Sequence, residues 1–286
     1  MRDAGSPLGK NQFVVHRPFK AGLPNLPRYT KEIWARKDFI LELARSELKA
    51  EYSTSFFGQV WIVLNPLMLA GIYYMLVILL SPSSSRGPEF FVHLLAGLFA
   101  FQFFTLAVSG SASSLIRLTG LISNLAFPRL VLPISSVFSA LKRFLPMMLV
   151  YAIFHLAYWQ PVTPLTLLCI PAFVLLFAFT TGMGFILATL QVYFRDTRTF
   201  LPYVLRIWLY VTPVLYFATS IEGSRFSFLQ WANPMFSIIS AWSTALTKGQ
   251  SVSDTTWLVA VVWALGTFLL GTYVFLTRER DFSVRL

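Results

Sequence analysis

Five stretches of the chain contain no Asp, Glu, Lys or Arg: residues 52–85, 90–116, 144–194, 226–247 and 255–277. A helix needs about 20 apolar residues to cross a hydrocarbon core of roughly 30 Å. The stretch 144–194 is long enough for two crossings and is broken at WQPVTP (159–164), where two prolines favour a turn. The pattern predicts spans at 60–80, 90–112, 141–159, 165–192, 201–219 and 256–277. The fold class is therefore all-α, a polytopic membrane protein of six transmembrane helices within residues 53–286. The fifth span carries Arg206 near its start, where a long cationic side chain can reach the interface. It also carries Pro213, which is expected to kink it.

The uncharged stretch 226–247 is set apart by charge and by Asn233-Pro234 at its middle. With six spans and an internal N-terminus, 20 Lys/Arg fall on the inner side and three (Arg86, Arg225, Lys248) on the outer side. A seventh span would put Arg278, Arg280 and Arg285 outside, against the positive-inside rule. Pro234 also removes a backbone donor and clashes with the preceding turn. The stretch is read as a re-entrant pair of half-helices dipping in from the external side. Irregular backbone at such depth is tolerated only where it is buried in protein or lines a cavity. Asn233 and Pro234 are accordingly candidates for a gate beside a translocation path.

Ahead of the first span, residues 30–52 place Ile33, Ile40, Leu43, Ala44 and Leu48 near one helical face. They predict an amphipathic interface helix with Thr30 as its N-cap. Residues 1–29, rich in Gly, Pro and basic side chains, are expected to form a mobile cytoplasmic arm.

Composition agrees with the pattern: 56% of residues are hydrophobic and only 12% charged, about half the share usual for soluble domains. The net charge of +11 sits in loops between apolar runs, which marks topology rather than nucleic-acid binding. No signal peptide is visible in the polar first fifty residues, so the first span is expected to direct insertion. Cys169, the single cysteine, has no intrachain partner for a disulfide and reads as a packing residue.

Candidate chemistry is sparse. No Asp or Glu lies deep in a predicted span, which leaves a proton or sodium relay without a carrier. His93 and His155 have no adjacent carboxylate and read as packed or interfacial. GSPLGKN (5–11) falls one residue short of a phosphate-binding loop, lacks Ser/Thr after Lys10 and follows no strand. There is no metal-ligand spacing and no nucleophile motif, so the chain is not expected to be an enzyme or to hold a cofactor. Glu89, Glu222 and Asp254, the external acids, are too scattered in sequence for a membrane glycosyltransferase. Two inner segments stand out instead. AFPRLVLPISS (126–136) and YFRDTRTF (193–200) set charge beside aromatic and apolar residues, a composition suited to docking another protein.

Aromatic residues make up 16% of the chain. Sugar C–H faces stack on such rings while hydroxyls bond polar tips, which Tyr and Trp supply together. Trp61, Tyr73, Tyr74, Trp208 and Tyr210 are candidates for lining a path on which a neutral polymer slides without a deep well. Gly182, Gly184 and Ala188 are suited to close helix approach.

Four ordered runs resemble landmarks of the ABC-2 type polysaccharide export permeases, the membrane subunits of O-antigen, teichoic acid and cell-wall galactan exporters. They are ELKAEYSTSFFGQVWIVLNPLMLAGIYYMLV (47–77), LISNLAFPRLVLPISSVFSAL (121–141), VYFRDTRTFLPYVLRIWLYVTPVLY (192–216) and NPMFSIISAWSTAL (233–246). The likeness covers residues 30–286 and leaves the N-terminal arm aside. It implies a permease in a bacterial plasma membrane with both termini cytoplasmic. The resemblance further implies that such a permease dimerises and binds two copies of a separate ATPase subunit, which would hold the ATP and Mg. The substrate implied is a polyprenyl-diphosphate-linked polysaccharide, with a lean toward galactan; a drug or simple lipid is the alternative. Carried over by position, Phe127, Pro128 and Arg129 belong to a first segment coupled to the ATPase. Arg195 and Asp196, with Arg198 beside them, belong to the loop after span four.

Overall fold

The N-terminal region opens with two short helices that the periodicity merges into one. A computed structural model describes residues 25–52, 58–80, 87–124, 127–221 and 223–285; of the arm expected at 1–29, residues 1–24 lie outside the described residues, whereas 26–29 form the first turn of a helix with Tyr29 buried. Helix α1 (Leu26–Ala35) ends at Arg36, and α2 (Lys37–Tyr52) follows. Asn25, not Thr30, occupies the N-cap position; Pro27 near the helix start needs no backbone donor there. Thr30 sits inside α1, its hydroxyl donating to the Pro27 carbonyl at 3.1 Å.

The remaining helices are α3 (Trp61–Leu80), α4 (Pro88–Arg117), α5 (Thr119–Asn124), α6 (Val131–Ala157), α7 (Cys169–Tyr193), α8 (Thr197–Val211), α9 (Leu229–Ala232), α10 (Pro234–Lys248), α11 (Asp254–Arg278) and α12 (Phe282–Arg285). Every regular element among the described residues is helical. Five helices are long and apolar enough to cross a membrane: Gly58–Leu79, Glu89–Arg117, Val131–Ala157, Pro164–Tyr193 and Asp254–Arg278. The third begins ten residues before the expected boundary at 141, because the run preceding Lys142 and Arg143 is already helical.

The expected fifth span, 201–219, differs most. Its helix runs from Thr197 to Val211, about 22 Å at 1.5 Å per residue, too short to cross alone. Pro213 ends the helix rather than kinking it. Pro213 has no N–H to offer the preceding turn, and Thr212 before it is extended (φ −95°, ψ 144°). The Val211 carbonyl, orphaned by this ending, accepts from the Tyr216 hydroxyl (2.9 Å) and the Asn233 amide (3.2 Å).

Tyr29 and Glu279 lie together at one end of the bundle, the Tyr29 hydroxyl donating to the Glu279 carboxylate at 2.8 Å. Five crossings would separate them, so the segment 194–253 supplies one further net passage. Its route follows from its contacts. From Thr197 the chain rises past Trp208 to Phe217, which packs against Phe90 and lies under Lys248. It then returns through α9, where the Trp231 carbonyl accepts from the Trp263 indole at 2.9 Å. It reverses at Asn233, level with Val211, and α10 climbs back to Lys248. The first limb of this excursion is mostly turns with a four-residue helix; only the second is a true helical arm.

Helix α4 forms the core, with Phe99, Phe103 and Phe104 fully buried. Burying apolar side chains away from lipid gives little driving force, so close packing must hold such a bundle. Phe144 stacks on Phe173 at 4.9 Å, and Phe103 and Trp242 close on both. The Trp242 indole donates to the Ala96 carbonyl. The expected close approach is found at Gly182, where a Cβ would stand 2.5 Å from the Phe268 Cα in α11, and at Gly184, where it would stand 2.9 Å from the Ser111 hydroxyl.

Candidate functional site

The polar end that holds Tyr29 and Glu279 carries two surfaces of opposite character. At the first, Phe127 packs edge-on against Phe39 of α2 (6.0 Å between ring centroids), with the Arg36 guanidinium 5.9 Å from its ring. Pro128 is buried. The backbone N–H of Arg129 donates to the Glu279 carboxylate at 2.7 Å, and its guanidinium donates to the Glu279 carbonyl. This segment is wedged between the N-terminal helices and the end of α11. It is a junction, less open than its composition suggests for docking.

The second surface is the α7–α8 turn. Phe194, Arg195, Asp196 and Arg198 are all exposed, while Thr197 is buried and its hydroxyl donates to the Phe194 carbonyl at 2.7 Å. Thr197 thus anchors the turn and leaves the three charges and Phe194 outward. The Asp196 side chain makes no helix-capping bond. The turn is a rigidly based, charged and aromatic knuckle.

Above it, α8 has two faces. Thr197, Leu201, Leu205 and Leu209, each four residues apart, are buried against the bundle. The opposite face exposes Phe200, Tyr203, Arg206, Ile207 and Tyr210. Trp208 packs on Phe104, and neighbouring Phe103 packs on Phe144.

The five candidate path residues do not form one wall. Tyr73 and Tyr210 meet, hydroxyl to hydroxyl at 3.4 Å and rings edge-on at 6.2 Å. Trp208 lies below, edge-on to Phe104 and Phe179. Tyr74 points the other way and packs on Phe90 and Phe91, because neighbouring residues on a helix diverge by about 100°. Trp61 is twelve residues before Tyr73 at the polar end of α3 and joins neither group.

Asn233 joins the path candidates to the candidate gate. Its amide oxygen accepts from the Trp208 indole (2.8 Å) and from the Met235 N–H (3.1 Å), capping α10. Its amide nitrogen donates to the Val211 carbonyl and, at 3.4 Å, to the Thr212 hydroxyl. A primary amide has about four such positions, so Asn233 is fully engaged. An open groove of about 340 Å³ runs beside it, lined by Val204, Ile207, Trp208, Val211, Ala232, Asn233 and Pro234.

Sequence reasoning missed Tyr29, Tyr203 and Glu279. Glu279 follows the last span as one charge in the run RERD, and nothing in that run distinguishes it. Only the fold shows it facing inward. Burial pushes the Glu279 carboxyl up from its ordinary range, opposed by the Arg129 N–H, the Tyr29 hydroxyl and the Arg129 charge. Burial, then the adjacent Glu279 charge, also raises the Tyr29 phenol.

A family model for ABC-2 type transporters matches residues 39–246. An O-antigen export system permease protein RfbA of Klebsiella pneumoniae is 31% identical over 213 residues, covering 74% of this chain and 81% of the relative. A protein of the same description from Myxococcus xanthus is 30% identical over 262 residues, covering 90% of this chain and 98% of the relative. The match takes in α2 through nearly all of α10, the helices that build the path face, the exposed turn and the Asn233 pin. The chain belongs to the ABC-2 type transporter family, as a multi-pass membrane transport subunit.

Proposed function

We propose that this permease exports a lipid-linked polysaccharide from the cytoplasm to the outer side of the bacterial plasma membrane, driven by a separate ATP-hydrolysing subunit. The observation that carries this reading is the likeness to relatives described as O-antigen export permeases, which extends over 98% of one of them. The polar end, with Tyr29 and Glu279, would be the cytoplasmic one together with both termini, consistent with its share of the basic residues.

The geometry supports a division of labour. The knuckle Phe194–Arg198 offers the ATPase partner charges and a ring on a fixed base. The exposed stripe Tyr203, Arg206, Tyr210, with Tyr73 beside it, offers rings and hydroxyls to a glycan. An exposed arginine with tyrosine hydroxyls on one face suits a path more than a hydrocarbon surface. A second copy of the chain, facing the first across α8 and the exposed side of α3, would close that path in a complex of two permeases and two ATPases. In this arrangement Asn233-Pro234 would form the floor of an external re-entrant hairpin. The substrate class is a polyprenyl-diphosphate-linked glycan of the galactan, O-antigen or teichoic acid type. ATP and Mg would reside in the partner.

Two measurements test this reading. Purification of the tagged chain from its native membrane is expected to bring down an ATPase in equal numbers. Depletion of the chain is expected to leave lipid-linked glycan accumulating on the cytoplasmic side. Absence of an ATPase, or depletion with unchanged glycan distribution, would overturn the reading. Stimulation of the ATPase by a drug or simple lipid alone would favour that substrate instead.

A further inference from the structure

Three segments far apart in sequence meet at one partly buried carboxylate. Glu279, just past the end of α11, receives the Tyr29 hydroxyl of α1 on both its oxygens (2.8 Å each) and the Arg129 backbone N–H on one (2.7 Å). The Arg129 guanidinium reaches the Glu279 backbone carbonyl. Around them Tyr29, Leu130, Leu132, Phe185, Phe275, Leu276 and Phe282 form a separate apolar cluster. That cluster lies apart from the larger core that fills the rest of the bundle.

We infer that Glu279 is a positioning residue that makes residues 127–129, α1 and α11 move as one body, so that a push at the polar end reaches the crossing helices. This inference rests on the proposed ATP-driven export. Hydrogen bonds that converge on a partly buried acceptor are costly to leave unmade. The lowered dielectric around a partly buried group strengthens them. A displacement of the 127–129 segment is therefore passed to the end of α11 rather than absorbed by a loop. From there it has a stiff onward route: α11 crosses α7 at Gly182 and Gly271 with backbone against backbone, leaving no side chain to yield. Helix α7 in turn ends at the exposed knuckle. The Tyr193 hydroxyl there donates to Asp281, two residues past Glu279, at 2.8 Å. The two surfaces at the polar end are thus bridged through the C-terminal segment. An ordinary topology-determining acid would need none of these partners; Glu279 has all of them and is turned inward.

The test uses the full permease–ATPase complex and reads two quantities together: ATP hydrolysis by the purified complex, and the ratio of surface to cytoplasmic lipid-linked glycan in cells carrying each variant as their sole copy. Glu279→Ala is expected to keep at least half of the hydrolysis while lowering the glycan ratio roughly tenfold. Tyr29→Phe keeps the ring in the cluster and removes one donor; it should lower the ratio about fivefold, the equivalent of one hydrogen bond. Glu279→Gln retains an acceptor for both donors and should restore most of the ratio. A fall in hydrolysis, glycan ratio and amount of complex by equal factors in both Glu279→Ala and Tyr29→Phe would overturn the inference, since it marks a merely structural role. So would a normal ratio in either variant. Because the complex forms in both of those cases, they leave the export reading intact. A chain that brings down no ATPase at all sinks that reading instead.

Discussion

The Trp208 indole donates to the Asn233 side-chain oxygen at 2.8 Å, tying the last turn of α8 to the first turn of α10 across 25 residues. The same Asn233 caps α10 and satisfies the carbonyl that Pro213 strands at Val211. The two partial crossings of this region therefore behave as one pinned unit, with the groove beside the pin.

This predicts a graded response to substitution. Asn233→Ala removes the cap and the bonds to Val211 and Thr212, and should cost about 1–2 kcal/mol or more. Asn233→Asp keeps the cap and loses the donors, and should fall between Ala and wild type. Trp208→Phe removes one donor and should cost less than Asn233→Ala. Thermal unfolding of the purified protein in detergent checks the order; equal losses for all three would disprove the pin.

Gly182 and Gly271 predict a positional effect within one helix. A Cβ at Gly271 would collide with the Gly182 carbonyl, whereas one at Gly266 would meet nothing within 4 Å. Gly271→Ala should destabilise by about 1–3 kcal/mol through overpacking. Gly266→Ala should be neutral or stabilising, because Ala is the better helix former by roughly 1 kcal/mol. The same unfolding measurement separates them.

Asp196 predicts loss of function without loss of fold. Its carboxylate is exposed and makes no helix-capping bond, so Asp196→Ala should change stability by less than about 0.5 kcal/mol. Coupled ATP turnover in reconstituted vesicles should nonetheless drop, because the knuckle is the proposed ATPase contact. Unchanged turnover would remove Asp196 from that role.

Glu279 predicts a pH dependence of known sign. Its carboxyl is raised in the folded protein, chiefly by burial, so the folded state binds the proton more readily than the unfolded state. Its contribution to stability is fully present below the ordinary carboxylate value and is lost as pH rises through the raised one. Wild type should gain thermal stability relative to Glu279→Gln as the pH is lowered through that window. A difference between the two that does not change with pH would contradict the shift.

Much of the architecture was legible because lipid imposes a simple test on each segment. A crossing helix must be long and uncharged, and four of the predicted spans match described helices to within a few residues, while a fifth starts early. The exceptions have local causes. Residues 201–219 pass the apolarity test, yet Thr212-Pro213 stops the helix at Val211. Helices α1 and α2 share one amphipathic pattern, yet the chain turns at Arg36. The aromatic candidates show a different limit. Tyr73 and Tyr74 are equivalent by composition, but one meets Tyr210 and the other is packed against Phe90 and Phe91. Phe127 to Arg129 read as suited to docking another protein, and only the fold shows that Phe127 packs on Phe39 and that Arg129 bonds Glu279.

By itself, then, the amino-acid order determined the membrane class, the bounds of most of the long apolar helices and the break at Asn233-Pro234, since these depend on solvation of the backbone and on proline geometry, both local. Only the tertiary structure decided that Arg129 is tied to Glu279 while Arg195 and Arg198 face outward, and that Glu279 turns toward Tyr29 and Arg129. It also decided that the stretch after Arg195 makes its passage with a short helix and a returning arm. Those outcomes depend on which residues become neighbours across up to 250 positions, and the energy of a buried charge or a backbone contact exists only once those neighbours are in place.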